Sequence, residues 1–178
     1  MANTNDPNGF TPAYHMTGGT IRPAQMRIAR ATNASIFSGD VVNLSSGYII
    51  QGTATGAPIG VFAGVYYDAT DGTPTFSKHW TADVATLGSA DAKAYIYNDP
   101  DIVYEAQFTA GTPAVSFIGN KYTLSTTAGS TSTGRSAEGV TATTSSGVAL
   151  CVGFVDTPSN SIAAYARAYF RFPANPFE

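Results

Sequence analysis

What most constrains this chain is its punctuation: almost every apolar segment is short, rich in Val, Ile, Tyr or Phe, and closed on both sides by Gly, Pro, Asn, Asp or Ser. β-Branched and aromatic residues suit a pleated, half-buried surface, and the flanking residues supply turns, so each segment reads as a strand. The predicted strands are 25–31, 40–44, 47–51, 58–67, 73–79, 93–98, 101–108, 114–118, 120–125, 147–155 and 163–172. No window of ten or more residues carries convincing amphipathic-helix spacing, and 84–94 is the best place for a short helix. The predicted class is therefore all-β, a barrel or sandwich.

Two reversals are explicit. Ser45-Ser46-Gly47 separates Val41–Leu44 from Tyr48–Ile50, and Asp71-Gly72 precedes Thr75-Phe76. Alternation is clearest in Ala94–Tyr97 and in Tyr165–Phe172, which places Arg167, Tyr169 and Arg171 on one face and Ala166, Ala168, Phe170 and Phe172 on the other. Gly64–Asp68 and Gly153–Asp156 echo one another as apolar strands ending in Asp before a turn, a pattern that hairpins commonly produce. Residues 126–146 are dominated by Thr, Ser, Gly and Ala and read as a long surface loop or excursion, either a flexible tip or a contact loop ordered in an assembly.

At 178 residues the chain can bury a core without staples. Charged residues make up 12%, about half the usual share, so the polar surface falls to Ser, Thr, Asn and Gln. Such a surface has few long side chains to immobilise, which suits packed assemblies. The formal charge is −3, and Arg22, Arg27 and Arg30 face only Asp6 within the first thirty residues. The rest of the chain is acidic, which argues against nucleic-acid binding. The basic start either meets an acidic protein surface or forms the solvent face of a first strand. Cys151, the single cysteine, sits in an apolar run and reads as a core residue. The first twenty residues lack the apolar region of a secretory signal, and no apolar run is long enough for a spanning helix, so a soluble protein made in a cytosol is expected.

Residues 1–24 are expected to form an extended arm, with the β-rich body at 25–178. Pro7, Pro12 and Pro23 oppose regular pairing, Gly18-Gly19 gives a bend, and Phe10, Tyr14 and Met16 are apolar without an obvious local core. The arm either docks on a partner through Phe10, Pro12, Tyr14, His15, Met16, Ile21 and Arg22 or straps over its own body.

Chemistry-bearing patterns are sparse. His15 and His79 are the only histidines and lie far apart, so no zinc pattern exists. Asp99-Pro100-Asp101 with Glu105 lacks the ligand alternation of a calcium loop and reads as a turn. No Gly-x-Ser-x-Gly elbow occurs, and the glycine-rich stretches lack the Lys-Ser or Lys-Thr of a phosphate loop. No catalytic, cofactor or metal residue is expected. Tyr66, Tyr67, Trp80, Tyr95 and Tyr97 offer an alternative reading, an aromatic face that binds surface glycans in a head-fibre or adhesion module.

Several segments resemble small structural proteins of tailed bacteriophages: Asn8-Gly9-Phe10-x-Pro12 with His15 and Gly18-Gly19; Phe37–Val42; Gly60–Val65 with Tyr67-Asp68; Pro74–Trp80; and Ala94–Glu105. The similarity is to capsid decoration, or cement, proteins. The layout of Gly47–Asp68 is also similar to the lambda-like decoration proteins, which are β-rich trimers whose N-terminal arms clip onto the shell. The resemblance implies a virion protein on the outer capsid surface that binds without catalysis. It further implies the major capsid protein as partner and a homo-oligomer, with a trimer favoured.

Overall fold

The computed structural model describes residues 3–30, 32–144 and 146–173. Residues 1 and 2 of the expected arm, residue 31 of the first predicted strand, residue 145 of the Ser/Thr-rich loop and residues 174–178 of the body lie outside the described residues. The fold is all-β, as the strand punctuation dictates: among the described residues there are fifteen strands and two single turns of 3-10 helix.

Middle segments of the chain form a six-stranded curled sheet. Its strands are β2 (Ala24–Ile28), β4 (Val41–Ser45), β5 (Tyr48–Gln51), β6 (Gly60–Asp68), β7 (Pro74–Ser77) and β9 (Ala92–Tyr97). The order is β2-β9-β6-β4-β5, with β7 sharing one edge of β6 with β4, and the end strands β2 and β5 come back beside one another. Strand alternation turns Ile28, Val42, Ile49, Phe62, Val65, Ala94 and Ile96 inward. The short pair β3 (Ile36–Phe37) and β8 (His79–Trp80) adds Ile36 and Trp80 to that core.

The remaining strands build a nearly closed barrel. They are β1 (Thr11–His15), β10 (Ile102–Ala110), β11 (Lys121–Tyr122), β12 (Leu124–Ser125), β13 (Gly139–Thr141), β14 (Ala149–Phe154) and β15 (Arg167–Arg171). The order runs β11-β14-β15-β10-β13-β12, and β11 and β12 are separated by Thr123 alone, so the two ends of the sheet are one stretch of chain. Thr123 joins them by accepting the Thr141 N–H at 2.9 Å and donating its own N–H to the Thr143 carbonyl at 2.9 Å. Phe108, Phe170, Phe172, Tyr104 and Tyr122 fill the interior.

The architecture departs from the sequence reading where small or proline-bearing segments are held by tertiary pairing. The described residues form two hydrophobic cores. The arm is not a free extension: β1 pairs antiparallel with β10, with Thr11 opposite Glu105 and His15 opposite Ile102. Pro12 is tolerated because β1 shares only one edge with the sheet and is bulged between Pro12 and Tyr14. The expected loop at 126–146 returns to the core as β13, with Val140 fully buried. The strand expected at 114–118 is a 3-10 turn, Val115–Phe117, and the helix expected in 84–94 is a single such turn, Leu87–Ser89. The strand expected at 73–79 breaks into β7 and β8.

Candidate binding surface

The strap, residues 3–15, is fixed along its length. The Asn3 side chain bonds to Ser161 and Ala164, Gln107 bridges the Asp6 N–H and the Thr4 carbonyl, and the Gly9 and Phe10 N–H groups reach the Glu138 and Gly39 carbonyls. Gly9 is required: its φ is +73°, and a Cβ there would lie 2.5 Å from Ser136 Cβ. Phe10 is fully buried, 5.4 Å from the Phe172 ring and 6.2 Å from the Phe170 ring. It is therefore unavailable to a partner. An aromatic flanked by turn residues does find a core, but the core belongs to the far half of the chain.

Beyond Phe10 the candidate residues diverge. Pro12 is half-buried, Ile21 packs against the barrel core, and Arg22 is exposed. Tyr14 stacks edge-on against Tyr169 yet remains 46% exposed, and Met16 is 53% exposed. The structure thus leaves Tyr14, Met16 and Arg22 facing solvent on a segment whose neighbours are anchored.

His15 joins Asp99 and Asp101 in one group of potential metal ligands, although it lies more than eighty residues away in sequence. The hydrogen bonds decide what the ring can do. Nδ1 accepts the Gly19 N–H at 3.2 Å and the Thr17 N–H at 3.3 Å, so it holds a lone pair. In the neutral ring the proton then sits on Nε2, which donates to Asp99 Oδ2 at 3.1 Å. No lone pair faces the carboxylates, and a cation does not fit this donor set. The Asp99 carboxyl is held below its ordinary range first by the Asp101 N–H and also by His15. The cluster pins the 15–19 turn onto the turn at 99–101.

A cleft of about 300 Å³ runs beside the strap, walled by Asn8, Thr11 and Pro12, floored by Val61 and Phe62, and rimmed by Lys78 and Arg135. Asp40 and Glu138 are fully buried. Asp40 Oδ2 accepts the Phe37 N–H and Glu138 Oε2 accepts the Val41 N–H, each at 2.8 Å, while Asp40 Oδ1 and Glu138 Oε1 have no partner among the described residues. Burial pushes Asp40 up to about 6; burial and the Asp40 charge push Glu138 up to about 9. Two like charges in one dry place resist joint ionisation. Sequence reading missed this pair because Glu138 sits in a Ser/Thr-rich stretch; the one available signal is that it is the sole acid in 126–146.

No family model, curated protein or solved structure matches this chain. Its surfaces therefore have to be read from their own chemistry. The expected aromatic face splits in two: Trp80 is fully buried, Tyr67 packs edge-on against it, and Tyr97 lies against the barrel core. Tyr66 and Tyr95 lie on the outside of the curled sheet, joined by Phe76, which sequence reading overlooked inside the hairpin strand Pro74–Ser77.

Proposed function

We propose that this chain is a structural virion protein that binds the outer surface of an icosahedral phage capsid and stabilises the shell by bridging neighbouring capsid subunits. The observation that carries the proposal is the anchored strap: its end presents Tyr14, and the adjoining Met16, to solvent while Phe10 and the Gly9 and Phe10 backbone bonds fix it to the body. A pre-ordered segment loses little further entropy on docking, so apolar area covered on a partner, at roughly 25 cal/mol per Å², goes largely into binding. Arg22 on the same segment, and Lys78 and Arg135 on the neighbouring cleft, suit an acidic partner surface.

In this reading the partner is the major capsid protein and the chain acts by binding, without catalysis, as a homo-oligomer with a trimer favoured. Repetition over a symmetric lattice multiplies a weak contact, because each occupied site holds neighbouring subunits in place. The test is cosedimentation with undecorated capsids. Wild-type protein is expected to pellet with the shells, and the double variant Tyr14→Ser/Met16→Ser to lose at least about ten-fold in apparent affinity with an unchanged melting temperature. Equal pelleting by the variant would move the docking face elsewhere, and no pelleting by either would remove the proposal.

A further inference from the structure

The outer face of the curled sheet carries an aromatic shelf. Register places Phe76 opposite Tyr66, Tyr66 opposite Lys93, and Lys93 opposite Arg27, forming one row across β7, β6, β9 and β2. Gly64, Tyr95 and Gln25 form a second row beside it. Phe76 is 69% exposed, the most exposed large apolar residue among those described. Its ring meets that of Tyr95, with centroids 5.7 Å apart, by passing over Gly64, where a Cβ would lie 3.7 Å from the Phe76 ring. Four strands at about 4.8 Å spacing make the platform about 14 Å across.

Polar groups surround the shelf. Two hollows, of about 430 and 180 Å³, flank Lys93; Gln25, Arg27 and Asp91 line the first, and Tyr66, Asp68 and Asp91 the second. The Lys93 ammonium lies 5.7 Å from the centre of the Tyr66 ring. Asp68 accepts only the Tyr66 hydroxyl at 2.9 Å, and Asp91 accepts the Tyr48 hydroxyl and the Arg30 N–H, so both keep acceptor capacity. A dry protein interface puts a contiguous apolar core at its centre and removes charge from it. Here the adjoining rings of Phe76, Tyr66 and Tyr95 lie directly beside Lys93, Arg27 and Gln25, so charge is not removed from the patch, and flat ring faces next to donors and acceptors match the apolar ring faces and hydroxyl edges of a sugar.

We propose that this face is a saccharide-binding site, with hexose rings stacking on Phe76 and Tyr95 and their hydroxyls meeting Asp68, Asp91, Lys93, Arg27 and Gln25. It lies on β2, β6, β7 and β9 and uses none of the strap, so it stands or falls independently of capsid binding. The platform's width suits a short run of rings, and its open ends suit a chain rather than a monosaccharide.

The experiment presents the full protein to an array of neutral and uronate-containing oligosaccharides of hexaose length, followed by titration of the retained saccharide. Retention of at least one class is expected. Phe76→Ala and Tyr95→Ala are each expected to weaken it about ten-fold or more, with an unchanged melting temperature, and Phe76→Tyr to restore most of it. Absence of retention at millimolar concentration, or equal retention by the Phe76→Ala/Tyr95→Ala double variant, would overturn the proposal. So would self-association that Phe76→Ala abolishes, because the shelf would then be an interface between copies.

Discussion

Asp40 and Glu138 sit where the curled sheet, the barrel and the strap meet. The Phe37–Val41 turn supplies the N–H groups that bind them, and the Glu138 backbone carbonyl accepts the strap's Gly9 N–H. Ser136, itself buried, accepts the Glu138 N–H at 2.9 Å. The strap contributes no titratable group at Asn8–Phe10. Both carboxyls hold protons more tightly folded than unfolded, so over this range the native state binds more protons than the unfolded chain. Their stabilisation is therefore complete below the unfolded carboxyl pKa, near 4, and is lost as pH rises through about 6 for Asp40 and about 9 for Glu138. The melting temperature is expected to fall between pH 5 and pH 9, by at least about 5 °C. The Asp40→Asn/Glu138→Gln variant should flatten that slope, measured by calorimetry across the range. A slope that survives in the variant would place the titrating groups elsewhere.

At the scale of elements, the strap is part of the barrel's closure. Phe10 fills space between Phe170 and Phe172, and β1 covers an edge of β10 that β13 leaves open at Ile102–Glu105. Truncation to begin at Ala24 is expected to destabilise the protein by at least about 3 kcal/mol, the scale of losing one buried phenylalanine, with further loss from the unpaired strand edge. Urea unfolding measures this. A truncated protein with unchanged stability would show that the strap is dispensable and its role lies outside the fold. The residues explain what sequence reading reached. Regular alternation and tight turns made β4, β5, β9 and β15 legible, because period-two patterns and Ser-Gly reversals act locally. β3 and β13 were illegible because they are short, and β1 because Pro12 and a bulge interrupt its pattern; the pairing of all three is imposed by partners distant in the chain. The inward turn of Phe10 and the meeting of His15 with Asp99 are of the same kind. For the candidate surface, Tyr14, Met16 and Arg22 could be named from their odd context, while Phe76 needed register to place it beside Tyr95.

The whole molecule joins two β units with separate cores through one junction, with the first strand of the chain built into the second unit. That crossing makes the strap rigid where it is anchored and leaves the segment from Met16 to Pro23 on the outside, all of it exposed except the half-buried Ile21. The proposed saccharide shelf is built from the curled sheet alone, and the proposed capsid-facing side chains come from the end of the strap and the exposed segment that follows it. Under the two proposals, one molecule would serve a shell with one surface and a saccharide with another. The central claim is that the strap face docks on a capsid exterior, and cryo-electron microscopy of undecorated shells mixed with this protein tests it most directly. The expected result is density on the outer surface at copy numbers set by the lattice, with Tyr14 and Met16 against the junction between capsid subunits; bare shells, or density contacting the capsid through a different face, would contradict it.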